Sequence, residues 1–215
     1  MMINAHTHPL AKLAEQLQDE EIHVWHVEYQ AASGRASLCA VLAAYLGIDA
    51  NSVGLVNGQH GRPALAPEHD QTLGFNWSHT GEHALIAVGR GVSPGIDAER
   101  QRQRPRAMQI AQRFFSPEEV DALSRLPESA REQAFLCIWT AKEAVVKALG
   151  RGLAFGLDRL SIGIVDQQLA LTRLEGEKAP DWQLHALHTL PELTAAIAWR
   201  GAARRIRLGT LASSA

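Results

Sequence analysis

An α+β protein of two similar halves, each a small antiparallel sheet with a packed helix, is expected from the 215-residue sequence. Composition is one reason: 46% apolar and 20% charged residues are globular values and exclude a fibrous or disordered chain. Patterning is another, because short period-2 runs are interspersed with period-3.6 runs. The third is an internal echo. His79-Thr-Gly-Glu-His83-Ala-Leu-Ile-Ala-Val returns loosely as His188-Thr-Leu-Pro-Glu-Leu-Thr-Ala-Ala-Ile-Ala. At one hairpin's length and with one inserted residue, it fits a duplication and a chance match equally. A cleft between two such halves would be a natural ligand site.

Residues 1–21 read as a polar lead-in, loose or with a short helix, followed by an N-terminal half over 22–94 and a C-terminal half over 95–211. Trp25, Val27 and Tyr29 alternate with His26 and Glu28, as in a strand. Ala36 to Leu46 carries Leu38, Val41, Leu42 and Tyr45 at helical spacing and stops at Gly47. Strand-like runs follow at 52–56, 73–77 and 83–88, the last two joined by a Gly81-Glu82 turn. Pro94-Gly95 punctuates the chain before a strand from Gly95 to Ala98. Residues 106–149 are helical in pattern. Ser116-Pro117-Glu118-Glu119 is a start signal, with Ser as cap, Pro in the first turn and acids at the positive helix end. A long helix over 129–149 ends at Gly150 and Gly152. Strands return at 160–165, 168–173, 182–188 and 194–199. Trp25, Trp77, Trp182 and Trp199 read as core, and Arg200, Arg204, Arg205 and Arg207 as surface charge.

Charge and cysteine use narrow the function. Lys plus Arg is 21 against 23 for Asp plus Glu, a net charge of −2, which does not suit a nucleic-acid-coating protein. Cys39 and Cys137 sit in apolar stretches without a disulfide framework, so a reducing, cytoplasmic setting is expected. The most apolar run, Ser37 to Ile48, is shorter than the ~20 residues of a membrane span. The N-terminus lacks a basic start followed by an apolar block, so no signal peptide is expected. His6-Thr-His8 resembles the metal pair of amidohydrolases, but no alternating strands and helices of a (β/α)₈ barrel follow.

Three constellations carry chemistry. In Gly95-Ile-Asp97-Ala-Glu99, alternation on a strand points both acids to one face. They are either a solvated strand end or ligands for a hard cation such as Mg²⁺. In Trp139-Thr-Ala-Lys142-Glu143-Ala-Val-Val-Lys147-Ala-Leu-Gly150-Arg-Gly152, Glu143 and Lys147 are four apart on one helix face. They form either a surface ion pair or, with Lys142, a phosphate-holding group beside a metal. In Phe75-Asn-Trp-Ser78-His79-Thr80-Gly81, hydroxyls and an imidazole meet at a turn. Adjacent side chains on a strand diverge, so Ser78 and His79 are poorly placed as nucleophile and base, and anion binding is the better reading.

Together with Gly61-Arg62-Pro63 and Arg113-Phe-Phe-Ser-Pro-Glu-Glu119, these stretches resemble the 4′-phosphopantetheinyl transferases of the surfactin-synthetase-activating type, in the family's order and spacing. The resemblance covers most of residues 58–153. It implies a monomeric pseudo-dimer of two α+β halves with coenzyme A and Mg²⁺ between them. It also implies transfer of the phosphopantetheine arm to a serine of an apo acyl or peptidyl carrier protein. Asp97, Glu99 and Glu143 would hold Mg²⁺, Lys147 the pyrophosphate, and Ser78 and His79 the nucleotide phosphates. Arg62 stands where the family more often has lysine, and Arg35 and Lys142 complete the coenzyme contacts. Glu143 is the favoured base for the carrier serine, with Glu119 positioning Lys147 or the nucleophile. Carrier proteins are acidic, so Arg100, Arg102, Arg104 and Arg106 form either a docking edge or a solvated loop. The chain departs from the family in the short stretch Gln30 to Arg35 before the first helix, where members carry a longer basic segment. The alternative function is a non-catalytic coenzyme A or nucleotide-binding module; a short hydrolase using His6 and His8 is the remoter one.

Overall fold

The computed structural model describes residues 2–4, 10–166 and 168–211; His6 and His8 lie outside the described residues. The chain runs through β1 (Met2–Asn4), α1 (Leu10–Ala14), β2 (Glu21–Glu28), α2 (Ala36–Leu46), β3 (Leu55–Asn57), β4 (Pro63–Leu65), β5 (Leu73–Thr80) and β6 (His83–Arg90). It continues with β7 (Gly95–Arg100), α3 (Ala107–Phe114), α4 (Pro117–Arg125), α5 (Glu128–Leu149), β8 (Leu160–Val165), β9 (Gln168–Leu174), β10 (Trp182–Leu187), β11 (Leu193–Arg200) and β12 (Arg205–Leu211). The fold is α+β, as expected. Among the described residues one sheet has the order β1-β12-β2-β6-β5, a second has β10-β11-β7, and β3–β4 and β8–β9 are separate hairpins.

One sequence of elements occurs twice. A strand, a helix, a small hairpin and an antiparallel strand pair follow in order as β2-α2-β3/β4-β5/β6 and again as β7-α5-β8/β9-β10/β11, the second time with α3 and α4 inserted between β7 and α5. In each case the first strand pairs antiparallel with the last, β2 with β6 and β7 with β11. The echoing segments lie on the equivalent β5–β6 and β10–β11 hairpins.

Local signals place the element ends. Gly47 and Gly150 close α2 and α5 in the left-handed region at φ 66° and 69°, where a side chain would be strained. Glu119 accepts the Ser116 N–H at 2.8 Å at the start of α4, the acid's half of a capping box.

The two sheets face each other, and a helix covers each outer side. Trp25, Val27 and Ile86 pack on Leu38 and Leu42 of α2. Ile22, Val24 and Leu85, on the opposite face of the same strands, meet Ile96, Ile197 and Trp199 of the second sheet. Ala196 and Ala198 lie under Ala144 and Val145 of α5. β2 is therefore buried on both faces, and the outward position that alternation assigns to His26 is corrected: it is buried. Of the four tryptophans expected in the core, Trp25, Trp182 and Trp199 are buried and Trp77 is half-buried.

β12 went unforeseen. Its arginines read as surface charge, yet Ile206 and Leu208 alternate with them, and the strand pairs parallel with β2. Arg207 Nε lies 3.0 Å from the buried Glu21 carboxylate, so this arginine serves the interior. Pairing across some 180 positions of chain leaves no local trace for sequence patterning to detect.

Candidate active site

The site forms along the seam between the sheets. β5 and β7 are edge strands, and side chains of β5 take the place of a backbone partner for β7. Asn76 Oδ1 accepts the Ile96 N–H at 3.0 Å, Ser78 Oγ that of Ala98 at 3.3 Å, and Thr80 Oγ1 that of Arg100 at 3.4 Å. Residues two apart share a face of β5, so three hydroxyl or amide side chains satisfy three β7 donors that would otherwise be orphaned.

α5 lies against β7 at close range. A Cβ built on Gly95 would stand 2.0 Å from the Ala144 carbonyl oxygen, so only glycine permits this approach. It brings Glu143 and Lys147 over Asp97. Lys147 Nζ donates to Asp97 Oδ1 at 2.7 Å and to the Ile96 carbonyl at 3.0 Å, leaving a third N–H free for a ligand. Asp97 is 6% exposed, and Ser78 Oγ donates to the same Oδ1 at 2.9 Å.

Two buried carboxylate oxygens, Asp97 Oδ2 and Glu143 Oε1, have no hydrogen-bond partner. Burial pushes the Glu143 carboxyl up to about 7, with Asp97 and Glu99 adding to the shift and Lys147 opposing it. The three acids thus repel one another electrostatically. Glu99 is half-exposed, and Arg104 holds its Oε2 at 2.6 Å. Arg104 is thereby committed to the site and is not free to extend an arginine docking edge.

Three carboxylates with two unpartnered buried oxygens suit a hard divalent cation. Among the described residues no three His, Cys, Asp or Glu side chains already stand grouped as a metal cage. Lys147 and Arg104 neutralise Asp97 and Glu99 in the geometry seen.

His79 closes the seam on its exposed side. Its ring stacks on Tyr29, centroids 4.3 Å apart at 19°, and lies 5.0 Å from Trp77. Burial and then the Lys147 charge lower its pKa, so it lies within electrostatic reach of that ammonium. Tyr29 and Trp77 form a half-buried aromatic wall that was read from the sequence only as strand and core. Their spacing carries no signal of a site, since alternating aromatics fit a core strand equally.

Four residues expected to contact the coenzyme or the nucleophile are engaged by partners within the protein. Lys142 is fully buried; its ammonium donates to Glu119 at 2.6 Å, to the Leu157 carbonyl at 2.8 Å and to that of Leu160 at 2.6 Å. All three donors are used, leaving none for a phosphate. Glu119 accepts in addition the N–H groups of Ser116 at 2.8 Å and Ile162 at 2.7 Å. It holds Lys142 and not Lys147. The helix itself carried this warning, since five residues advance about 140° around its axis and separate Lys142 from Lys147. Ser78 donates its hydroxyl to Asp97 and accepts the Ala98 N–H. Arg62 donates to the carbonyls of Lys147, Phe75 (2.8 Å) and Pro94 (2.9 Å), bracing α5 against β5 and the β6–β7 turn. Arg35 is exposed at the start of α2 and pairs with no carboxylate among the described residues.

Fold and site together define a protein that presents carboxylates and a lysine at one point on a seam, fit to hold a cation beside an anion. Residues 93–198 match the family model described as the 4′-phosphopantetheinyl transferase superfamily. The chain is 34% identical over 173 residues to the 4′-phosphopantetheinyl transferase HetI of Nostoc sp. (strain PCC 7120 / SAG 25.82 / UTEX 2576), covering 79% of this chain and 70% of that protein. It is 35% identical over 106 residues to the 4′-phosphopantetheinyl transferase psf-1 of Bacillus pumilus, covering 49% of this chain and 44% of the relative. A Synechocystis sp. (strain ATCC 27184 / PCC 6803 / Kazusa) protein described as a putative enzyme of the same name shares 33% identity over 136 residues, 63% of this chain and 54% of its own. The chain belongs to the 4′-phosphopantetheinyl transferase family.

Proposed function

We propose that this chain transfers the 4′-phosphopantetheine arm of coenzyme A to a serine of an apo acyl or peptidyl carrier protein, releasing adenosine 3′,5′-bisphosphate. The observation that carries the reading is the convergence of Asp97, Glu143 and Lys147 at one point, on strands and a helix held in register by Gly95. Family membership supports it. In the transfer, the serine oxygen attacks the phosphorus next to pantetheine, and that phosphorus loses its bridging oxygen, which leaves on the bisphosphate with the bonding electrons.

Asp97, Glu99 and Glu143 would hold Mg²⁺, which when bound neutralises charge on the pyrophosphate oxygens. Lys147 turns its free N–H toward the same oxygens. The unpartnered Oε1 of Glu143 takes the serine proton. Ser78 fixes the Asp97 carboxylate, and His79 on its Tyr29–Trp77 wall faces the nucleotide end. Arg35, exposed at the start of α2, would reach toward the nucleotide.

We read residues 22–94 and 95–211 as two halves behind a lead-in over 1–21, acting together as a monomer. The repeated order of elements supports this, although β12 returns to the sheet of the first half. A cytoplasmic location fits the free cysteines; among the described residues no helix is long and apolar enough to cross a membrane.

Incubation with coenzyme A, Mg²⁺ and a panel of apo carrier proteins tests the proposal. Each modified carrier gains the mass of one phosphopantetheine arm. Binding of coenzyme A without mass gain on any carrier would instead establish a non-catalytic coenzyme-binding module.

A further inference from the structure

Arg62 sits where three segments that carry the site converge. Its Nη2 donates to the Phe75 carbonyl at 2.8 Å and to the Pro94 carbonyl at 2.9 Å, and its Nη1 donates to the Lys147 carbonyl. Phe75 lies three residues before Ser78 and Pro94 three before Asp97. Lys147 is itself the residue whose ammonium meets Asp97. One guanidinium thus ties together the runs of chain that present all three.

The arginine is itself held in place. It follows the tight turn Gln59–Gly61 of the β3–β4 hairpin, and its own carbonyl accepts the Gly58 N–H at 2.7 Å. A Cβ built on Gly152, just past α5, would stand 3.3 Å from the His60 Cβ, so that turn seats on the end of the helix. Carbonyls in the last turn of a helix lack helical donors and attract positive charge. Here the Lys147 carbonyl takes the Gly150 N–H and the guanidinium. Among the described residues Arg62 pairs with no carboxylate, so these carbonyls orient it. A planar guanidinium presents its N–H groups at fixed angles, which lets one side chain set the spacing of several backbone segments.

We propose that Arg62 is a positioning residue for the transfer, setting through three carbonyls where Lys147 and Asp97 stand without itself touching the reacting atoms. This rests on the activity proposed above and adds a residue that governs its rate. Lys147 leans on Asp97 and on the Ile96 carbonyl, and both contacts depend on how the end of α5 meets the β6–β7 turn. Without Arg62 that end drifts.

Kinetics of the full chain with coenzyme A, Mg²⁺ and an apo carrier give the first test. Arg62→Met lowers kcat about a hundredfold, the scale of a roughly 1 Å misplacement, and leaves KM for coenzyme A within about twofold. Arg62→Lys keeps the charge on a single nitrogen and recovers part of the loss. A KM raised alone, or raised as much as kcat falls, makes Arg62 a coenzyme contact and overturns the proposal. Parent kinetics in both variants overturn it too.

Acetylation of the free protein with acetic anhydride, followed by peptide mass, needs no turnover. Relative to the exposed Lys178, Lys147 reacts about threefold faster in Arg62→Met than in the parent, because its amine no longer rests on Asp97. The fully buried Lys142 stays unmodified, which shows that the variant is folded. Unchanged labelling of Lys147 refutes positioning. Where Lys142 labels in Arg62→Met, Arg62→Lys carries the same comparison; labelling of Lys142 in both makes Arg62 a residue of folding alone and refutes it as well. A parent protein that modifies no carrier overturns the proposed activity and the positioning role with it, an outcome separate from the others.

Discussion

Lys147 and Ser78 meet on the same oxygen of Asp97, at 2.7 and 2.9 Å, although the three residues come from a helix and two strands of different sheets. One carboxylate oxygen is thereby saturated, and the other is left buried and bare. The pairing fixes Asp97 and leaves Oδ2 available to the cation proposed above.

Asp97→Ala and Asp97→Asn are expected to cut the transfer rate by about two to three orders of magnitude, the scale of a lost electrostatic contact to the reacting centre. Circular dichroism should stay at the parent spectrum for the asparagine variant. Full activity in either variant would remove Asp97 from the site.

The two lysines of α5 should separate cleanly. Lys147→Met abolishes transfer and costs less stability than the same change at Lys142, because Lys147 is partly exposed, although it leaves the buried Asp97 carboxylate with Ser78 as its remaining side-chain donor. Lys142→Met leaves the Glu119 charge buried without its partner, at a cost of about 3–5 kcal/mol in urea unfolding. Replacing both, as Lys142→Met with Glu119→Gln, should recover part of that loss. If Lys142→Met were as stable as the parent, the buried pair would have no structural role.

Gly95→Ala tests the approach of α5 to β7. The added methyl collides with backbone at Ala144 and Ala148, which cannot move aside as a flexible side chain would. A loss of about 1–3 kcal/mol is expected in thermal or urea unfolding. Transfer should fall further than stability alone explains, since Asp97 is drawn away from Glu143 and Lys147. Parent-like activity and melting temperature would show that the contact is slack.

Stability should fall in mild acid through His26. Its Nε2 lies 3.1 Å from His83 Nδ1, and His83 Nε2 lies 3.6 Å from Glu192 in the β10–β11 turn. Burial and then His83 lower the His26 pKa below 6.5, against the opposing pull of Glu192 and Glu28. The folded value lies below the unfolded one. The contribution to stability is therefore complete above about 6.5 and is lost as pH falls, while the unfolded chain takes up a proton that the folded chain refuses. Melting temperature followed from about pH 8 to about pH 5 should drop less steeply in His26→Gln than in the parent. Parallel curves would assign the acid loss to other groups, such as the buried His23 beside Tyr45.

Much of the architecture was legible in advance because its causes are local. Gly47 and Gly150 end helices through their own backbone freedom, and the Gly81-Glu82 turn joins neighbouring strands. The acids of the site were legible for the same reason. A spacing of two on a strand pairs Asp97 with Glu99, and a spacing of four on a helix pairs Glu143 with Lys147.

Which partner each charged group finds is another matter. Lys142 and Lys147 look alike in a string of letters, yet one is spent on Glu119 and two carbonyls inside the protein while the other faces Asp97. Arg62 and Ser78 keep the residue types a nucleotide site would use, but packing spends them on the seam. β12 closes on β2 from the far end of the chain, where no periodicity announces it. Turns, caps and repeats arise from interactions a few residues long and can be read in order along the chain. Strand neighbours, buried ion pairs and the carbonyl contacts of Arg62 depend on contacts between distant segments, and those exist only once the two sheets and α5 have packed together.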